Sequence, residues 1–203
     1  MAAGKKMNKV LVYKTEGIII KAADLAELDR LLTIYTKGYG KIQARAISAR
    51  KKTSKLNSLL QSFTHNNFLL VKSKTIDIVT DVEVINSFNY LYNSLNNLAY
   101  AFYFSELIDK LIPAPERDEN IWRLVSRVFE VLNQKRSDLP KIRLAFEDKL
   151  VEFLGQPSLK LWLASHPSFA KSNKNQSIQR LNYLQSLAGE RFNSYKFLSF
   201  VKQ

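Results

Sequence analysis

Residues 31–46 read LLTIYTKGYGKIQARA, and this stretch decides the class of fold. Leu31-Leu32-Thr33-Ile34-Tyr35-Thr36 has the length and the β-branched, apolar character of a strand. Lys37-Gly38-Tyr39-Gly40 reads as a tight turn, because glycine accepts the positive φ that short hairpins demand. Lys41 to Ile47 then alternates. Ile42, Ala44 and Ala46 share one face; Lys41, Gln43 and Arg45 share the other. A hairpin with one apolar and one basic face is half of a core and half of a surface.

Working outward, Val10, Val12 and the run Gly17 to Ile20 supply an earlier strand. Phe68 to Val71, then Ser73-Lys74, then Ile76 to Val84 read as a further hairpin. Five short strands of this kind suit a small barrel of about 75 residues. After Val84 the period changes. Leu95, Leu98 and Phe102 begin a helical face that runs to Ile112, where Pro113 and Pro115 stop it. Asp118 caps the next helix, with Ile121, Leu124, Val125, Val128, Phe129 and Leu132 at i, i+3, i+4, i+7 spacing. Asp138 and Pro140 open a third, with Ile142, Phe146, Leu150, Phe153 and Leu154 inward and Gly155 and Pro157 closing it. Ser165 to Asn175 reads as loop, and Ser177 as the cap of a last helix carrying Ile178, Leu181, Leu184 and Leu187. The expected fold is α+β, with a five-stranded β-barrel over residues 1–83 and a helical bundle over 84–203.

The chain has 203 residues, enough to bury a core without staples. It has no cysteine, which excludes disulfides and thiolate metal sites, and its two histidines, His65 and His166, are too few for an all-histidine zinc site. No apolar run has membrane-spanning length, and no apolar core of signal-peptide length follows the lysines of Met1 to Asn8, so the expectation is a cytoplasmic protein with no membrane partner. The excess of 31 Lys and Arg over 18 Asp and Glu, a net +13, favours a polyanionic partner.

That excess is uneven. Residues 1–82 hold 15 bases against 6 acids, and 83–203 hold 16 against 12. From Arg30 to Ile76 there is no Asp or Glu, yet the stretch contains Arg30, Lys37, Lys41, Arg45, Arg50, Lys51, Lys52, Lys55, Lys72 and Lys74. With no acid among them, these bases are expected to present an outward positive field that attracts phosphates. Tyr35 and Tyr39 flank the hairpin turn. Bases beside aromatic rings on a small barrel match the way single strands are held, charge following the backbone and rings stacking on bases. Tyr35 also reads as a core residue, and Ala49 to Lys55 as a solvated face.

Catalytic signatures are missing. Gly4-Lys5-Lys6 lacks the preceding glycine loop and the following Ser or Thr of a phosphate-binding loop, and neither G-x-G-x-x-G nor G-x-S-x-G occurs. Asp24, Glu27 and Asp29 are the one carboxylate group that a metal-dependent nuclease could use, but no partner acid follows for 47 residues. His65 lies in the polar stretch Thr64-His65-Asn66-Asn67 and reads as a solvated turn residue; His166, before Pro167, reads as a loop residue without metal companions. The expectation is a protein that is not an enzyme and needs no cofactor.

An ordered set of short motifs is similar to a known family. Thr15-Glu16-Gly17-Ile18-Ile19, then Glu27-x-Asp29-Arg30-Leu31-Leu32-Thr33-Ile34-Tyr35-Thr36 and Gly40-Lys41-Ile42 resemble the N-terminal region of RecO, the bacterial DNA repair and recombination mediator. Ala46-Ile47-Ser48-Ala49-Arg50-Lys51 resembles that family's basic A-K-G-A-R segment, departing at Ile47 and Ser48. Leu60-Gln61-Ser62-Phe63, Tyr103-Phe104-Ser105-Glu106-Leu107, Phe146-Glu147 through Leu150, Leu154-Gly155 and Pro157 resemble later landmarks, so the likeness spans roughly residues 10 to 160. It implies an N-terminal OB-fold and a C-terminal helical domain. It implies binding of single- and double-stranded DNA, strand annealing, and help in loading recombinase onto DNA coated by single-strand-binding protein. It also implies RecR and the acidic C-terminal tail of single-strand-binding protein as partners, and a place at the nucleoid. Residues expected at DNA are Arg30, Tyr35, Lys37, Tyr39, Lys41, Arg45, Arg50, Lys51, Lys52 and Lys55; Arg143 is the residue expected to meet a partner's carboxylate, against the plainer reading of an exposed helix arginine. Many family members carry a cysteine zinc module after the Gly-x-Pro landmark, whereas here Ser158 to Ser165 has no cysteine and an apolar contact through Leu161, Trp162 and Leu163 is expected instead. The alternatives are an RNA-binding OB-fold protein of the translation machinery, a scaffold whose basic face meets an acidic protein, and the nuclease.

Overall fold

The computed structural model describes residues 11–25, 28–135, 138–167, 169 and 175–201. Val10, Glu27 and residues 168 and 170–174 of the expected loop lie outside them. The chain divides into two compact units between Ser87 and Phe88.

The first unit consists of β1 (Val12–Asp24), β2 (Arg30–Thr36), β3 (Gly40–Ala46), a one-turn helix α1 (Leu56–Leu59), β4 (His65–Val71) and β5 (Asp77–Asn86). The strands hydrogen-bond in the order β1-β2-β3-β5-β4 and β4 returns to β1, so the barrel is closed. Every pairing is antiparallel except β3 with β5, where Ala44 faces Asp77 and Arg45 faces Ile78. This is the five-strand arrangement of an OB-fold. Closure asks β1 to serve two neighbours. It does so by being long and bent, with a bulge between Ile19 and Lys21 and with Gly17 at the crossing. A Cβ on Gly17 would lie 2.8 Å from Ile34 Cγ2 and 3.2 Å from the Tyr35 carbonyl oxygen, so only glycine lets β1 and β2 approach so closely. Ile19, Leu32, Ile34, Ala44, Ala46, Phe68, Leu70, Val79 and Val82 fill the interior.

The quoted hairpin forms as the sequence predicts. Gly40 takes φ +64, Tyr39 N–H donates to Thr36 Oγ1 at 3.0 Å and Thr36 Oγ1 donates to the Gly40 carbonyl at 2.8 Å. Two expectations change. β4 begins at His65 rather than Phe68, and His65 is buried with its Nε2 2.9 Å from Glu16 Oε1, not solvated in a turn. β5 runs to Asn86, past the expected domain end at 83.

The second unit is helical: α2 (Asn89–Tyr92), α3 (Leu95–Leu111), α4 (Glu119–Leu132), α5 (Leu139–Phe153), α6 (Leu159–Ser165), α7 (Gln176–Ala188) and α8 (Ser194–Val201). Asp118 caps α4 by accepting from Asn120 N–H and Ile121 N–H, and Asp138 caps α5 by accepting from Lys141 N–H. Asn175, not Ser177, caps α7; its Oδ1 accepts from Ser177 N–H at 2.9 Å. Tyr103, Phe104, Leu107, Val125, Phe129, Phe146 and Leu150 make the centre, with Phe104 and Phe146 ring centroids 4.6 Å apart. In the segment after the Gly155-Gln156-Pro157 landmark, Trp162 of α6 packs on Tyr183 and His166, centroids 5.2 and 4.5 Å away, and Tyr183 OH donates to the Pro157 carbonyl. Trp162 makes this contact, while Leu161 points to solvent.

Candidate nucleic-acid interface

The outer face of β3 carries Lys41, Gln43 and Arg45, because the inner face is committed to the core through Ala44 and Ala46. Beyond Ala46 the chain makes a turn that holds Ser48, Arg50, Lys51 and Lys52 before α1. This turn is shaped by Asp29. The Asp29 carboxylate, almost wholly buried, accepts from Ser48 N–H at 2.6 Å and pairs with Arg45 at 2.5 Å. Ser48 takes φ +52 there, a conformation natural to glycine, at the position where the resembling family motif has glycine. The Ser48 N–H bond, together with Arg45, holds the Asp29 carboxyl below the usual carboxylate range despite its burial.

The expected uncancelled positive field is therefore corrected. The acids that flank the acid-free stretch fold back onto it. Arg45 pairs with Asp29; Arg30 and Arg50 both pair with Asp24, at 3.5 and 3.2 Å; Lys37 pairs with Glu16 at 3.1 Å; Lys72 pairs with Asp77 at 3.1 Å. Among the described residues Lys51, Lys52 and Lys55 are exposed and form no ion pair within 4.0 Å. These three present their charge from the turn after β3, and Lys41 on the outer face of β3 is half-buried.

The two tyrosines separate. Tyr35, opposite Ile18 and Lys41 in its ladders, is wholly buried and offers no ring face to a base. Tyr39 is 44% exposed at the hairpin turn, its ring 4.6 Å from that of Tyr13 in an edge-on contact. Tyr13 OH donates to Asp77 at 2.5 Å, which fixes the inner ring of the pair. Burial, then the Asp77 hydrogen bond, push the Tyr13 phenol well up. Burial works to raise Asp77 as well, but hydrogen bonds from Tyr13, Ser73 N–H and Lys72 leave its carboxyl below the ordinary value. Tyr13 carries no motif, and only its two-residue offset from Thr15 on an alternating strand places it beside the turn.

The carboxylates considered for a nuclease are spent on structure. Asp24 and Asp29 hold arginines, Glu27 lies outside the described residues, and no cluster of three or more His, Cys, Asp or Glu suited to a metal occurs among the described residues.

In the helical unit Arg143 is buried rather than exposed. Its Nε lies 3.6 Å from Glu147 Oε1, and Glu147 also accepts from Tyr103 OH at 2.7 Å and sits 3.4 Å from Arg180 Nε. Burial raises the Glu147 carboxyl, with Arg143 and the Tyr103 hydrogen bond opposing. Arg143 also lines a groove of about 1060 Å³ with Leu144, Lys160, Leu163, Arg180 and Tyr183.

Two family models cover most of this chain: Recombination protein O N terminal over residues 7–88 and Recombination protein O C terminal over residues 92–160. The chain belongs to the RecO family. Relatives named DNA repair protein RecO include one from Pelotomaculum thermopropionicum, 34% identical over 71% of this chain and 56% of that protein. Others come from Alkaliphilus metalliredigens, 31% identical over 81% and 66%, and Clostridium perfringens, 34% identical over 71% and 58%. The chain spans a little more than half the length of the first of these. The family is one of DNA repair and recombination, and the two matched regions coincide with the barrel and with the helical unit through the first residues of α6. No helix among the described residues is long and apolar enough to cross a membrane.

Proposed function

We propose that this chain is a non-catalytic DNA-binding mediator of recombinational repair. Its barrel holds single- and double-stranded DNA through Lys51, Lys52 and Lys55 on the turn after β3, with Lys41 on β3 and the Tyr39 ring at the hairpin. The observation that carries the reading is the exposure of those three turn lysines, without an ion pair among the described residues, on an OB-type barrel. Phosphates neutralised by lysine repel each other less, so two complementary strands brought to this surface anneal without nucleotide hydrolysis. The barrel face offers lysines that follow phosphates and a ring that stacks on any base, so binding is weakly dependent on sequence and strongly dependent on salt.

In the same proposal the chain helps recombinase onto strands coated by single-strand-binding protein, with RecR as co-partner, and works at the nucleoid. The acidic C-terminal tail of single-strand-binding protein suits the groove of the helical unit, where Leu144 and Leu163 offer apolar surface and Lys160 offers charge. Arg143, the residue expected to meet that tail, lines the groove with its charge already held by Glu147, so Lys160 is the better partner for a peptide carboxylate.

A strand-annealing assay tests the reading, run with and without single-strand-binding protein on the natural chain and on the Lys51→Glu, Lys52→Glu, Lys55→Glu variant. The natural chain should anneal and the variant should not. Equal annealing by both, or tighter binding of ribosomal RNA than of single-stranded DNA, would overturn it in favour of an RNA-binding protein.

A further inference from the structure

Arg30 and Arg50 are twenty residues apart, yet they aim at one point. Arg30 Nε lies 3.5 Å from Asp24 Oδ1 and Arg50 Nε lies 3.2 Å from Asp24 Oδ2. Each guanidinium is fixed from its other side by a backbone carbonyl. Arg30 Nη1 donates to Leu60 O at 3.1 Å, and Arg50 Nη1 donates to Leu25 O at 3.3 Å. The side chains grade outward, Arg30 15% exposed, Arg50 35% and Asp24 56%. The two cations are thus the anchored members of the group, and the carboxylate they grip is the most exposed.

A carboxylate whose two oxygens each take one guanidinium occupies the geometry that two non-bridging oxygens of a phosphodiester require. The rotamer freedom of both arginines is already spent in the folded protein, so an incoming phosphate need not order them. An exposed carboxylate pair of this kind is worth little and is readily exchanged. Lys51 and Lys52 follow Arg50 directly on the turn and are exposed.

We propose that Arg30 and Arg50 form a clamp for one backbone phosphate of a nucleic acid, and that Asp24 is its built-in competitor, displaced when the strand binds. The clamp rests on the nucleic-acid reading of the barrel and adds to it a defined phosphate position and a residue that weakens binding.

Fluorescence anisotropy with a labelled oligo-thymidine tests this. Removing the competitor in Asp24→Asn should tighten binding by about fivefold, roughly the worth of one surface charge pair. Asp81→Asn, on the outer side of β5, removes a charge from another part of the barrel and should change little. Combining Asp24→Asn with Arg50→Lys keeps the charge but loses the planar fork, and should abolish the gain. The clamp is overturned by the absence of a gain in Asp24→Asn, by an equal gain in Asp81→Asn, or by a gain that survives Arg50→Lys. Thermal melts of each variant establish that it is folded, with Asp24→Ser as a second replacement. If the turn-lysine reversal weakens binding while Asp24→Asn does nothing, the clamp fails and the barrel reading stands. If neither changes binding, both fail.

Discussion

The Arg50–Asp24 pair of the barrel lies at the surface, whereas the Arg143–Glu147 pair of the helical unit is buried on both sides. Arg50 meets Asp24 in solvent, where the pair is screened and contributes little to stability. Arg143 meets Glu147 inside the helices, tied also to Tyr103 and near Arg180, where water cannot replace a lost partner. The same residue type is exchangeable in one place and structural in the other. That difference is why the barrel, and not the Arg143–Glu147 pair itself, is the place to look for a dissociable phosphate.

The largest expected effect comes from breaking the buried pair. Glu147→Ala leaves Arg143 without its close carboxylate and should cost about 3–5 kcal/mol in chemical denaturation. Asp24→Asn should leave stability within about 0.5 kcal/mol. Similar losses in both would erase the contrast. The barrel's weak point is steric instead. Gly17→Ala puts a methyl 2.8 Å from Ile34 Cγ2 and should cost about 1–3 kcal/mol by the same measurement.

Acid should separate the two units. Asp29 and Asp77 titrate below their ordinary value in the folded barrel, so the stability they contribute is present above that value and is lost as pH falls through their depressed pKa. Glu147 titrates above its ordinary value, so its contribution is fully present below the ordinary carboxylate pKa and is lost as pH rises through the raised one. Amide exchange followed from pH 7 downward should show the helices around Glu147 gaining protection first, and β1 to β3 losing it at lower pH. Parallel losses in both regions would contradict these assignments. The smallest effect is a gain. Ser48→Gly relieves a left-handed backbone at φ +52 and should stabilise the barrel by about 0.5–1 kcal/mol, read as a raised melting temperature. A loss there would mean that the serine side chain contributes more than its backbone strain costs.

The barrel hairpin, the helix starts at Asp118 and Asp138 and the stop after Phe153 were legible because each rests on residues within a few positions of one another. His65 was not, because Thr64-His65-Asn66-Asn67 has the composition of a turn, and His65 to Asn67 become strand by pairing with Glu16 to Ile18 on one side and with β5 on the other. The short α6 and α8 show no long period to read. At the candidate interface the identity of the basic residues could be read locally, but their neutralisation could not. Arg45 finds Asp29 sixteen residues away and Arg50 finds Asp24 across twenty-six. An acid-free stretch of sequence is a statement about neighbours along the chain, and β-sheet pairing replaces those neighbours with others. The available signal was that Asp29 stands immediately before the stretch and Asp77 immediately after it, with Asp24 a few residues ahead.

A salt titration of oligo-thymidine binding, comparing the natural chain with the Lys51→Glu, Lys52→Glu, Lys55→Glu variant, bears on the whole account. Binding by the natural chain should weaken linearly on logarithmic axes, with about 0.7 of slope for each phosphate held, and the variant should bind more weakly with a slope shallower by about two. Equal affinity and equal slope in the two proteins would place the nucleic acid elsewhere or nowhere on this molecule.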